Sequence, residues 1–204
     1  MKSPRAAAPA TKGIRIRWPR WYDALNRLHF LGREEQFRER TVELAGIRSG
    51  ETVLDVGCGT GNLAMAAKAR AGADGHVYGN DAAPEMIREA ERKAAARQLD
   101  IRYQVALIED ISYPDRTFDV VLSSLMLHHL PRDLKRRGIA EISRVLKPGG
   151  RLFAVDVDPP LLGNLRTVEE AMELNGFIDI RRGRMKFRTV WIPIHYLTGT
   201  KPAA

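Results

Sequence analysis

The chain of 204 residues contains a single cysteine, Cys58. An internal disulfide is excluded, and the composition fits a reducing compartment, with the cytoplasm as the expected location. No apolar run approaches the roughly 18 residues of a bilayer-spanning helix, so a transmembrane role is set aside. Cys, His and Asp nowhere occur as two ligand pairs at metal spacing, and no metal is expected. Internal repeats are also lacking. Acidic residues are missing from both ends. Residues 1 to 20 hold Lys2, Arg5, Lys12, Arg15, Arg17 and Arg20, and residues 181 to 204 hold Arg181, Arg182, Arg184, Lys186, Arg188 and Lys201. These twelve cations exceed the formal net charge of +8, so the middle of the chain is mildly acidic. Basic ends attract an anionic lipid surface, nucleic acid or an acidic substrate, or are simply solvated.

What is present begins with a body that is 44% hydrophobic and 28% charged, which reads as one soluble globular domain. Residues 1 to 17 read as a flexible basic tail without the apolar core of a secretion signal, although an acid-free, Arg-containing start also resembles a transit peptide. From Trp18 the pattern becomes amphipathic through Trp21, Leu25, Leu28 and Phe30, then Phe37, Val42 and Leu44, with Gly32 as the break between two helices. These helices, residues 18 to 46, are expected to cover a site in the domain at 47 to 196. Residues 197 to 204 read as a C-terminal tail.

The stretch Val53 to Ala64, VLDVGCGTGNLA, reads as a strand, a tight turn and a helix start. Glycines at 57, 59 and 61 let a ligand approach the main chain, and the turn is expected to offer it free amides. Asp81 ends a second strand twenty residues past Gly61, where a carboxylate can accept both hydroxyls of a ribose held beside the glycine turn. Ile101 to Val105 reads as a third strand and Phe118 to Leu122 as a fourth, ending at Ser123-Ser124. Helical spacing of Ile139, Ile142, Val145 and Leu146 leads to a helix closed by Lys147-Pro148-Gly149-Gly150, and Leu152 to Val157 forms a fifth strand. Thr167 and Glu170 have capping-box spacing for a helix ending at Gly176. Phe177 to Arg181 and Lys186 to Pro193, joined at Arg182-Gly183-Arg184, read as a hairpin. Strands alternating with helices imply an α/β fold with a mostly parallel sheet and helices on both faces.

VLDVGCGTG, the Asp81 strand end, FDVV, the LHHL segment at Leu127 to Leu130 and LKPGGRL at Leu146 to Leu152 together resemble the class I S-adenosylmethionine-dependent methyltransferases. YDAL, FRERTVELAGI and LHHL are most similar to the small-molecule branch with the ubiquinone and menaquinone C-methyltransferases. The resemblance implies a Rossmann-like seven-stranded sheet with the last strand antiparallel, S-adenosylmethionine as cofactor, and a small-molecule or lipid-like acceptor. It implies that Gly57, Cys58, Gly59, Thr60, Gly61 and Asn62 carry the methionine part, with Asp55 near its amino group and Tyr22 over its carboxylate. Asp81 would hold the ribose, and Ala82 and Met86 would flank the adenine. Ser123, Leu125 and His128 would face the sulfonium. The chain departs from the family at Leu107-Ile108-Glu109, where an Asp usually reaches the adenine, and at Ala83, where a helix-capping Ser is usual.

Methyl transfer asks mostly for positioning, with a general base only where the acceptor carries a proton. His128 and His129 are the candidate bases, one lining the site and one packing. His29 and His195 have no supporting motif, and Trp191 and Tyr196 read as core or surface. The connection Asp158 to Arg166 is too short for a lid, so the segment before Gly32 is expected to cover the acceptor, helped by a second subunit or a membrane surface. The alternative is a nucleic-acid methyltransferase using the basic ends. Against it, SSLM stands after the fourth strand where base-modifying enzymes resemble one another in an Asn/Asp-Pro-Pro-aromatic motif, and Asp158-Pro159-Pro160 lies after the fifth. The glycine spacing also disfavours a nicotinamide oxidoreductase.

Overall fold

The computed structural model describes residues 11–14, 16–157, 164–187 and 193–203. Asp158-Pro159-Pro160 and Trp191 lie outside these residues. The strands are β1 (Thr52–Val56), β2 (His76–Asp81), β3 (Ile101–Val105), β4 (Phe118–Ser124), β5 (Leu146–Val157), β6 (Ile178–Arg184) and β7 (Ile194–Thr200). They form one sheet in the order β3-β2-β1-β4-β5-β7-β6. The β1, β2, β3, β4 and β5 pairings are parallel, whereas β7 runs antiparallel to both β5 and β6. The expected seven-stranded Rossmann-like sheet is therefore present.

Both faces of the central strands are apolar because both are covered. On one face Leu54 and Val56 of β1 and Leu152 and Ala154 of β5 pack with α5 (Arg132–Val145) and α6 (Asn164–Leu174). On the other, Val53, Val120, Leu122, Phe153 and Val155 pack with α2 (Glu34–Leu44) and α3 (Asn62–Ala71). Helix α4 (Pro84–Ala96) turns Met86, Ile87, Ala90 and Ala94 inward, the stripe expected from spacing. Helix α1 (Pro19–His29) ends where Gly32, at φ 74°, donates to the Arg27 carbonyl, the break expected from sequence.

Four boundaries differ from expectation. Arg182-Gly183-Arg184 is strand rather than turn: a side chain at Gly183 would overlap the Tyr196 ring, so this glycine serves cross-strand packing. Residues 197–200 belong to β7 rather than to a tail, because Leu197 enters the core and Lys201 donates to the Ser143 and Leu146 carbonyls. Thr167 is buried inside α6, which starts earlier than a cap there would allow. At the other end, residues 11–14 are not a free tail: Thr11 Oγ1 donates to Glu109 Oε1 at 3.3 Å, and Ile14 N–H to the His129 carbonyl.

Candidate functional site

The carboxyl ends of β1 and β4, neighbours in the sheet from which the chain winds in opposite directions, open onto one cleft, the place where open α/β sheets bind ligands. Its open space, continuous with solvent, is about 690 Å³. Gly57, Gly59, Asp81, Ala82, Met86, Leu107, Ile108, Glu109, Leu125 and Tyr22 line it, together with His129. Asp55, Cys58, Thr60 and Asn62 line a smaller adjoining hollow of about 460 Å³ that shares Tyr22, Gly57 and Leu125. Gly61 lines neither, and serves the turn itself.

The turn works by shape rather than by free amides. Gly57, Gly59 and Gly61 have φ of 71°, 53° and 78°, a region unfavourable to side chains. Gly57 and Cys58 donate their N–H groups to the Asn80 carbonyl, Gly59 donates to Asp81 Oδ2 at 2.9 Å, and Gly61 to the Cys58 carbonyl. The amides of Gly57, Cys58, Gly59 and Gly61 are thus satisfied within the protein, so at these four residues a ligand meets glycine surface and carboxylates. A side chain at Gly61 would come within 2.5 Å of Tyr103 Oη and 2.8 Å of Ala90 Cβ. Over Gly57 lies Met126, and over Gly59 the Tyr22 ring, 3.4 Å from where a Cβ would stand. The Cys58 thiol is buried, and that burial pushes its pKa well up, so it packs as an apolar group.

Beside the turn is an edge of polar groups without partners among the described residues. Asp55 Oδ2, both amide atoms of Asn80 and Ser123 Oγ are buried and make no hydrogen bond. Asn80 and Ser123 stand on either side of Val56 in register, so three adjacent strands end in unsatisfied polarity. Leaving such groups unpaired costs about 1–3 kcal/mol each, which marks the edge as built for a polar ligand. Burial, and then the neighbouring Asp81, push the Asp55 pKa up to about 7, partly offset by the Ala64 N–H. Burial also raises that of Asp81, whose Oδ1 accepts the Ala83 N–H at 2.9 Å just before α4. Two buried carboxylates in a cleft favour a cationic ligand.

Thr60 and Asn62 turn away from the cleft. Thr60 Oγ1 and Asn62 Nδ2 donate to Asp23 Oδ1 at 2.7 and 3.1 Å, and Lys93 Nζ bonds Asp23 Oδ2 at 2.6 Å. This cluster latches α1 to the starts of α3 and the body of α4, and through α1 it holds Tyr22 over the turn.

The two histidines divide differently from expectation. Leu127–His129 form one 3-10 turn. His129 lines the cleft, and burial followed by the nearby His128 lowers its pKa to about 4, leaving it neutral at physiological pH. His128, which was expected to face the cofactor, instead sets Nδ1 at 2.6 Å from Asp156 Oδ1, and its N–H donates to Asp156 Oδ2. Asp156 is fully buried at the end of β5. A carboxylate only accepts, so Nδ1 carries the proton of this bond. The two rings lie 3.9 Å apart.

Sequence reasoning missed Asp156, Asn80 and Arg38. Asp156 and Asn80 had one available signal, a polar residue at the carboxyl end of a strand. Arg38 lies in the solvated-looking pattern of α2, yet it lines the hollow with Asp55, Gly57 and Tyr22, where burial lowers its pKa. The expected nucleic-acid cations Arg181, Arg182 and Arg184 sit on edge strand β6, separated from the β1–β4 cleft by β7 and β5.

Residues 53–150 match the model of a methyltransferase domain family. The demethylmenaquinone methyltransferase of Thermus thermophilus is 41% identical over 143 residues, covering 70% of this chain and 63% of that protein. The 2-phytyl-1,4-naphtoquinone methyltransferase of Nostoc punctiforme is 31% identical over 159 residues, covering 77% of this chain and 68% of that protein. In several such relatives the matched part is less than two thirds of the whole length. A SAM-dependent methyltransferase from Aquifex aeolicus shares the fold, with a TM-score of 0.68 at 24% identity, covering 89% of this chain and 97% of that one. The chain belongs to the class I S-adenosylmethionine-dependent methyltransferases, in the branch of the ubiquinone and menaquinone C-methyltransferases.

Proposed function

We propose that the chain binds S-adenosylmethionine and transfers its methyl group to a small, lipid-like acceptor of the quinol class. The observation that carries this reading is the row of unsatisfied Asp55, Asn80 and Ser123 groups beside a glycine turn. Such an edge suits a ligand bearing hydroxyls, an ammonium and a sulfonium. The residues present fit that cofactor. Asp81 retains acceptor capacity for two ribose hydroxyls while holding Gly59 and Ala83. Ala82, Met86, Leu107 and Ile108 offer an apolar slot for adenine, with Glu109 as the acceptor for its amino group. Asp55 would take the ammonium, and Arg38 and Tyr22, which line the same hollow, would hold the carboxylate.

When bound, the cofactor supplies an electrophilic methyl on a positively charged sulfur. The chain's own contribution is to hold an acceptor carbon in line and to accept the proton that carbon methylation of a phenolic ring releases. Neutral His129, which lines the cleft, is placed to accept that proton, and His128, fixed by Asp156, packs its ring 3.9 Å from His129 and positions it. The relatives named for quinone substrates support this class, and α1 with the segment before it acts as the cover. The test supplies labelled S-adenosylmethionine and the full chain with a demethylated naphthoquinol in detergent and, separately, with total RNA. Label is expected in the quinol. Label in RNA alone would overturn the reading.

A further inference from the structure

Helix α1 has two faces with different tasks. Tyr22, Asp23, Asn26 and Phe30 turn inward to the cleft, the latch and the core. The opposite face follows a spacing of three and four residues through Trp18, Trp21, Leu25 and Leu28, and is continued by Ile14 before the helix and Leu31 after it. These six side chains are between 52% and 71% exposed, and they are six of the eight large exposed apolar side chains among the described residues. A soluble surface rarely gathers so many in one strip, because each keeps water ordered at a cost.

Charge selects the occupant. Residues 11 to 33 contain Lys12, Arg15, Arg17, Arg20, Arg27 and Arg33 against one acid, Asp23. Asp23 is spoken for by Lys93, Thr60 and Asn62 on the inward side. Arg17 reaches Glu85 at 3.1 Å, yet its side chain is 66% exposed. Among the described residues Lys12, Arg17, Arg27 and Arg33 flank the strip in sequence, four cations against the inward Asp23. Pairing two copies of α1 along this strip would gather the cations of both around one seam without compensation. An anionic bilayer offers phosphates to the arginines and acyl chains to the indoles and leucines, the arrangement of a helix lying in the plane of an interface.

We propose that the Trp18–Trp21–Leu25–Leu28 face of α1 docks this protein on an anionic phospholipid surface, so that the cleft covered by the same helix opens toward the bilayer. Docking stands on the helix alone, whereas delivery of a bilayer-dissolved acceptor rests on the transfer reaction proposed above. Ile14 is both exposed and at the edge of the cleft that Tyr22 lines, so the acceptor would pass from lipid to cleft beside it.

Flotation of the full chain with vesicles of phosphatidylcholine alone, and of phosphatidylcholine and phosphatidylglycerol in equal parts, tests the proposal without requiring turnover. Binding is expected on the mixed vesicles, weakened by added salt, and at least about tenfold weaker for the combined Trp18→Ser, Trp21→Ser and Leu25→Ser protein. Leu174→Ser, at an equally exposed leucine on α6, is the control expected to bind like the unaltered chain. Calorimetric titration with S-adenosylmethionine, expected to be unchanged in both variants, separates lost docking from lost folding. Equal binding by the triple variant, equal binding to neutral vesicles, or a solution dimer that the triple variant disperses would each overturn the proposal. Retained docking without methyl transfer would overturn the reaction and leave the docking surface standing.

Discussion

The two sides of the cleft are made in different ways. The turn side, Val53 to Asp81, is one continuous stretch in which conformation is dictated locally by glycines at positive φ, and its key contact, Gly59 to Asp81, spans 22 residues. The cover and far wall of the cleft are assembled from distant pieces: Thr11 meets Glu109 across 98 residues, Asp23 meets Lys93 across 70, and His128 meets Asp156 across 28. A site part written in the main chain survives as a motif, whereas one written in side-chain pairings exists only once the sheet has ordered its strands.

The largest expected effect breaks the turn side. Asp81→Ala removes the acceptor of the Gly59 and Ala83 amides together with the ribose contacts, and S-adenosylmethionine affinity should fall by about 10²-fold or more in calorimetric titration. Next, Asp156→Asn should lower kcat by about 10- to 100-fold while cofactor affinity stays unchanged, because it frees the His128 tautomer without touching the turn. Loss of cofactor binding in that variant would erase the distinction between the two sides.

A third effect follows from Asp55. Its folded pKa of about 7 lies above the ordinary 3.8, so the ligand-free fold holds a proton that the unfolded chain releases. The associated stability is complete below about 4 and is lost as pH rises toward about 7, so the melting temperature of the ligand-free protein should decline over that window. Asp55→Asn should flatten the decline. A cationic ligand reverses the preference, so binding near neutral pH should release a proton, read from the buffer dependence of the binding heat. Smallest is Lys93→Met. The latch is partly exposed, so a cost of only about 1 kcal/mol or less in chemical denaturation is expected, with a modest rise in KM for the cofactor as Tyr22 loosens.

The same contrast explains what could be read from the chain. Strands β1 to β4 and the α4 stripe were legible because periodicity and glycine placement are local. The hairpin was misplaced because Gly183 reads as a turn residue, whereas its lack of a side chain makes room for Tyr196, itself stacked on Phe153 at 5.5 Å. Thr60 and Asn62 sat in the motif and so read as cofactor contacts, but their side chains answer to Asp23, an interaction that needs α1 in place. Arg38 was hidden in a helix whose charges resemble a solvated face, and Asp156 could join His128 only after β5 was known to lie beside β4.

The most direct test of the account is calorimetric titration of the full chain with S-adenosylmethionine and, in parallel, with NAD, each in two buffers of different ionisation heat near pH 7. The account predicts one site for S-adenosylmethionine with proton release that disappears in Asp55→Asn, and no binding of NAD. Absence of S-adenosylmethionine binding, or tighter binding of NAD, would contradict it.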